Sequence, residues 1–371
     1  MMKNFSFLRN IKFYTLILCT MLGLILSLVG EHHRFIAWES LNKFRVPSKG
    51  HQSLVEYKIK VPLPDFEVSE LIPSWNIKLG DGELVEVCIL AEFADGISHE
   101  FQLGHWGPGA QTAETGGARK SINGQKNEFG VVYTDTLVFR QTPIGLEACL
   151  RLTIRDQSRE DIFDLFGVCL SGSRDLVESH STTLNPPSNV LTVPRLCQLD
   201  YIGGEVWCSP TSVGMIMKYW SEKLSRLDFN YSVPELASQI FDPGWPGTGN
   251  WAFNVAFAGG HSGLRAFVTR LNHLNELKAI VNQGIPVATS VSYDLLKGKP
   301  AKGKNDGHLV VLVGFNQLGD PVFNDPAACP EVTRSYPIEN FTKAWRTSKQ
   351  TVYLIYPSQW KLPEELPIDW R

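Results

Sequence analysis

From residue 208 onward, apolar side chains recur with helical spacing. Val213, Ile216, Met217 and Trp220 fall at i, i+3, i+4 and i+7, which is one face of a helix. The pattern predicts a helix opening just after Cys208, with Ser209 as its cap and Pro210 in its first turn, where a missing N–H costs nothing. Earlier in the chain the pattern is strand-like. Residues 84–93, 131–139 and 146–154 read as strands, the last with clean alternation, and turns at Gly80-Asp81-Gly82, Asp95-Gly96 and Gly116-Gly117 separate them. Short strands, Gly-rich turns and no long helix predict an all-β sandwich. The polar stretch 107–127 reads as a long surface loop, and Asn185-Pro186-Pro187-Ser188-Asn189 as a linker. Beyond it helix and strand mix. Strands are expected at 286–292, 309–315, 322–324 and 352–356, a helix at 274–282, and a Pro/Gly/Trp loop at 242–251. The organisation expected is a hydrophobic segment (1–30), a spacer (31–59), the sandwich (60–184), a linker (185–192), an α+β domain (193–358) and a tail (359–371).

At the N-terminus, Lys3, Arg9 and Lys12 precede an uncharged run from Phe13 to Val29, closed by Glu31. The run exceeds a usual signal-peptide core of about 7–15 residues and only reaches the lower limit, about 17, of a spanning helix. Leu28-Val29-Gly30 makes a poor cleavage site, so an uncleaved anchor is favoured over a cleaved signal. Either places the rest of the chain outside the cytoplasm, membrane-anchored or secreted.

Composition narrows the classes. The 371 residues, 43% hydrophobic and 20% charged, suit two globular domains, and a net charge of −3 with scattered Lys and Arg excludes nucleic-acid binding. Seven cysteines include Cys19 in the apolar run. With Cys19 left out and Cys208 set aside as a free thiol, the remaining five are an odd number. Cys88 and Cys149 lie in strand-like segments and read as buried small hydrophobes rather than a disulfide. No Cys/His spacing suggests a metal site, and no cofactor is implied.

The chemistry converges on three residues. Cys208, at the start of its helix, feels the positive end of the dipole, which favours thiolate. Gly307-His308-Leu309 puts an imidazole at the start of an apolar strand, and Asn324-Asp325-Pro326 puts a carboxylate after a short return about Asn316–Asp320. Folding back about that turn brings residue 308 opposite a position within one or two of 325, and cross-strand neighbours lie about 4.5–5.5 Å apart. Cys208 then reads as nucleophile, His308 as base and Asp325 as the group that orients it, with Asn324 as a competing partner for the imidazole. The Cys208 N–H and the Gln198 side chain are candidate oxyanion donors. His261, His105 and His273 are weaker candidate bases. Trp75 and Trp106 could stack on sugars, though sandwich tryptophans are more often core. The loop 244–251 could wall a substrate cleft.

Val193-Pro194, Gln198, Trp207-Cys208-Ser209-Pro210-Thr211-Ser212, Gly307-His308-Leu309 and Asn324-Asp325-Pro326-Ala327 resemble bacterial cysteine peptidases related to the double-glycine leader peptidases of bacteriocin exporters. These belong to the papain-like superfamily. The resemblance runs from about 193 to 356. It implies an α+β papain-like domain with Cys208 as nucleophile, His308 as base, Asp325 as orienter and Gln198 in the oxyanion hole. The region from about 70 to 180 resembles, more loosely, the sandwich modules that accompany such enzymes. The chain departs from the exporter-linked enzymes in having no Walker loop and a longer Gln198–Cys208 gap, with Gly203-Gly204 inserted. The expected function is hydrolysis of peptide bonds in a peptide or protein substrate. Alternatives are acyl transfer by the same triad, or non-catalytic peptide or glycan binding outside the cell. Cell-wall or glycan contact would fall to the sandwich, and membrane contact to the N-terminal segment if uncleaved.

Overall fold

The computed structural model describes residues 29–46, 54–109, 119–160, 162–175, 190–301, 303 and 306–371. The apolar segment before Val29, the 185–189 linker and part of the 107–127 loop therefore lie outside the described residues. Among those described, no helix is long and apolar enough to cross a membrane. An N-terminal β module contains β1 (Val29–Trp38), β2 (Arg45–Val46), β3 (Leu54–Val61), β4 (Glu67–Ile77), β5 (Leu84–Glu92), β6 (Ser98–Trp106), β7 (Gly130–Tyr133), β8 (Thr136–Phe139), β9 (Gly145–Thr153) and β10 (Phe163–Asp175). A mixed domain follows: α1 (Cys208–Leu224), α2 (Val233–Ile240), α3 (Trp251–Gly259), β11 (Leu264–Arg270), α4 (Leu274–Asn282), β12 (Val287–Ser292) and α5 (Tyr293–Leu296). It continues with β13 (Gly307–Phe315), β14 (Pro321–Asn324), β15 (Thr333–Ser335), α6 (Ile338–Arg346), β16 (Thr351–Pro357) and β17 (Ile368–Trp370).

Two sheets form the N-terminal module, in the orders β17-β1-β10-β4-β8-β7 and β2-β3-β9-β5-β6. In β3, Val55, Tyr57, Ile59 and Val61 are buried while Leu54, Lys58 and Lys60 are exposed, the period-two pattern of a sheet with one wet face. Rings meet between the sheets, Tyr57 on Phe163 and Phe101 on Phe139. By contrast β4 is buried without interruption from Leu71 to Ile77, because the second domain covers the outer face of its sheet.

Three expectations change here. The proposed 31–59 spacer supplies β1, β2 and most of β3; the polar start Glu31-His32-His33-Arg34 hides β1, yet Phe35, Ile36, Ala37 and Trp38 are core. The tail 359–371 is not loose, since β17 pairs in parallel with β1. Residues 131–139 are not one strand but a β7–β8 hairpin, turning at Thr134 (φ 54°) and Asp135. That turn delivers the Asp135 carboxylate to the Trp251 N–H at 2.5 Å, at the start of α3.

The mixed domain is an antiparallel sheet, β11-β16-β12-β13-β14-β15, with α1 laid against it. Val213, Ile216, Met217 and Trp220 are all fully buried, as their spacing predicts. Trp220 Nε1 donates to Ile355 O at 2.8 Å and Ser212 Oγ to Leu309 O at 3.1 Å, fixing α1 to the strands beneath it. One edge of this sheet is β11, and an unpaired edge is a liability. Strand β4 covers it with side chains. Asn76 donates to Ala266 O at 2.6 Å and accepts from Ala266 N at 2.9 Å, and Ser74 Oγ accepts from Val268 N at 3.0 Å. Helix α3 approaches so closely that a Cβ on Gly259 would sit 2.1 Å from Asn76 Nδ2; only glycine fits there.

Substituting Asn76→Ala strands two buried backbone groups. At about 1–3 kcal/mol for each, the variant should lose about 2–6 kcal/mol in urea unfolding followed by tryptophan fluorescence. An unchanged midpoint would show that β4 does not seal the edge.

Candidate active site

Cys208 is the first residue of α1, with Trp207 as N-cap. Ser209 is therefore not the cap, contrary to the sequence reading. It lies inside the first turn, where its hydroxyl meets Tyr353 Oη at 2.9 Å. The cysteine is free, and the residue as a whole is half-buried. At this position the sulfur lies beside the unpaired N–H groups that every helix start presents.

The base and its partner come from the β13–β14 hairpin. Val311 pairs with Asn324 and Leu312 with Phe323, with a register shift between Leu312 and Gly314. Extending that register puts residue 308 opposite 327, two positions from Asp325, as the sequence predicts. Just beyond the end of β14, the Asp325 carboxylate reaches His308, with His308 Nε2 and Asp325 Oδ1 2.8 Å apart. Asn324 points elsewhere: its Nδ2 donates to Val193 O at 3.0 Å, and its Oδ1 accepts from Thr333. Adjacent strand residues face opposite sides, so Asp325 takes the imidazole. With Nε2 committed to the carboxylate, the hydrogen bond between His308 and Cys208 falls to Nδ1.

The electrostatics form one coupled set. Burial pushes the Cys208 thiol up, but the hydrogen bond and charge of His308, with the Leu309 and Ser209 N–H groups, outweigh it and hold the thiol below its ordinary range. Burial pushes His308 down, and its bonds to Asp325 and Cys208 more than reverse this, leaving the imidazole raised. Asp325 has no exposed surface. Burial would raise its pKa, yet His308, Tyr336 and the Ala327 N–H keep it low. The arrangement favours a thiolate–imidazolium pair at neutral pH.

Sequence reasoning missed three features. Tyr336 Oη donates to Asp325 Oδ2 at 2.6 Å, and nothing in Ser335-Tyr336-Pro337 signals it. Tyr293, the first residue of α5, lies over His308 with ring centroids 4.1 Å apart. Cys197 and Cys329 form a disulfide across 132 positions. A signal for it existed, because each cysteine lies on a segment expected to converge on the site. Among the described residues the other cysteines, Cys88, Cys149, Cys169 and Cys208, are free. Cys88 and Cys149 are buried cross-strand neighbours.

Gln198 is buried near the site, but both hydrogens of its amide are spent: Nε2 donates to Gly204 O at 2.8 Å and Glu205 O at 3.0 Å. An oxyanion donor needs a free N–H, so this geometry assigns Gln198 to holding the loop ahead of Cys208. His261 joins a separate cluster, its ring between Tyr231 Oη and Phe257 O. His105 lies beside Glu86 and His273 precedes α4. Trp75 and Trp106 both pack against Phe253 of α3; Trp75 is wholly buried, and only 5% of Trp106 is exposed, at the wall of a cavity. No cluster of metal-ligating side chains occurs among the described residues.

Residues 190–353 match the model of the Peptidase_C39 like family, and residues 56–162 match that of the Peptidase C39 N-terminal domain. A crystal structure of a candidate C39-like peptidase from Bacillus anthracis is 20% identical, covering 46% of this chain and 98% of its own, with a TM-score of 0.35. No curated protein matches the chain. The family models thus divide the chain into a region similar to the Peptidase C39 N-terminal domain, followed by one similar to the Peptidase_C39 like family.

Proposed function

We propose that this chain is an extracytoplasmic cysteine peptidase with a papain-like catalytic domain. The observation that carries the reading is the unbroken series Asp325–His308–Cys208, ending in a free cysteine at a helix start. In the proposed reaction the Cys208 thiolate attacks the scissile carbonyl carbon, and negative charge moves to the carbonyl oxygen. The Cys208 backbone N–H, unpaired at the head of α1, is the donor in place for that oxygen. His308 gives its Nδ1 proton to the departing amine as the carbon–nitrogen bond breaks, leaving a thioester. The imidazole then takes a proton from water, which attacks the thioester and releases the acid, restoring the thiolate and imidazolium. Asp325 keeps the ring oriented throughout and stabilises its cationic form.

Export has two supports. The basic-then-apolar N-terminus reads as a signal or anchor, and the Cys197–Cys329 disulfide suits an oxidising compartment. Intact Cys208, His308 and Asp325 speak against a non-catalytic relic, which has no physical reason to keep such a coupled set.

Mass-spectrometric cleavage profiling of a peptide mixture should show cuts with wild type that vanish with Cys208→Ala, a loss of about three orders of magnitude or more. Identical profiles would remove the proposal. The pH dependence of iodoacetamide labelling tests the coupling separately. Since His308 holds the thiol below its ordinary range, labelling of Cys208 in wild type should persist at mildly acidic pH. In His308→Ala the opposing effect of burial is left largely unbalanced, so the labelling curve should move to higher pH. A curve that does not move would show that the imidazole does not set the thiol.

A further inference from the structure

Between the disulfide-bound Cys197 and the start of α1, the loop 199–206 presents apolar side chains to solvent. Ile202 is 101% exposed, Val206 69% and Leu199 52%. Isolated exposed apolar residues need no explanation. Here three of the thirteen large ones exposed among the described residues occupy eight consecutive positions. Nor is the loop loose. Gln198 holds the carbonyls of residues 204 and 205, and Gly203, at φ 82°, makes the turn beneath the Trp207 ring. Thr248 Oγ1 donates to Val206 O at 3.2 Å, attaching the loop 242–250. In that second loop Asp242 accepts from Ser121 N, Gly244 N and Asn250 Nδ2, and Trp245 stands 42% exposed. Two loops braced by these bonds therefore hold four apolar side chains in water, on the segment that leads into Cys208 and the one attached to it.

The charge of this rim has one sign. Asp200 and Glu205 are exposed, and residues 199–206 include no Lys or Arg. Val206 lies two residues before Cys208, within about 7 Å along the chain. An extended polypeptide advances about 3.3 Å per residue. A chain whose carbonyl sits at the sulfur and which runs toward Val206 thus carries the side chains of its next few residues within reach of this rim.

We infer that Leu199, Ile202, Val206 and Trp245, with Asp200 and Glu205, form a recognition surface for an extended peptide segment that is apolar and basic beside the bond to be cut. The inference rests on the peptidase reading and adds its substrate class. Apolar side chains of the substrate would cover the exposed ones, and Lys or Arg would meet the two carboxylates.

The test reads binding apart from turnover, using Cys208→Ala of the full chain and fluorescent short peptides. One peptide alternates Leu and Val with two lysines; a second replaces the apolar residues by Ser, and a third replaces the lysines by Glu. The first should bind about tenfold or more tightly than either, since covering one large apolar side chain supports a factor of that size. Adding Ile202→Ser and Val206→Ser should abolish its advantage over the second peptide. Adding Asp200→Asn and Glu205→Gln instead should abolish its advantage over the third, along with the weakening of binding by salt. Equal binding of all three peptides, no binding of any, or preferences that survive both sets of changes would overturn the inference. The Ser variants should keep the wild-type alkylation rate of Cys208 when the thiol is present, which shows the site is folded. Absence of peptide cleavage by wild type in the turnover assay would count against the peptidase reading instead.

Discussion

A buried carboxylate governs this site. Asp325 is wholly removed from water, and an ion in that position is tolerable only when each oxygen has a partner. His308 and the Ala327 N–H serve one oxygen and Tyr336 the other. Once the carboxylate claims Nε2, the tautomer and tilt of the imidazole are settled, and Nδ1 is left for the sulfur. The depressed thiol and the raised imidazole are then two sides of one interaction. Tyr293 closes over the ring, limiting where the imidazole can move.

The β module is part of this machinery by contact. Ser74 and Asn76 complete the open edge of the second domain's sheet, and Glu70 receives Arg270 at 2.6 Å across the same boundary. Asp135 caps α3, and Ser121 braces the loop that carries Trp245. Burying so many paired polar groups between the two units argues for a fixed junction rather than a tethered accessory. The ends of the chain reinforce it, since β17 joins the sheet that β1 opens.

How much of this the sequence disclosed follows from how local each feature is. The hairpin bearing His308 and Asp325 depends on one turn and one register, and both could be read from residues 307–326. The helix after Cys208 declared itself through Val213, Ile216, Met217 and Trp220. Helix α3 did not, because it is packed on more than one side and Ala252-Phe253-Asn254-Val255-Ala256-Phe257 has no polar face to set a period. Helix α2 had a readable signal in Ser232 and Glu235, which form a capping box. Gln198 was misjudged for a different reason. Its amide is consumed by two carbonyls of the Gly203-Gly204 turn, and a sequence pattern does not reveal which carbonyls lack donors.

Nitrogen-15 NMR of histidine-labelled protein at neutral pH reads whether Asp325 and Cys208 together hold His308 charged. If they do, His308 shows both ring nitrogens protonated while the Cys208 thiol is unmodified. A neutral His308 ring, with one bare nitrogen, would show that they do not.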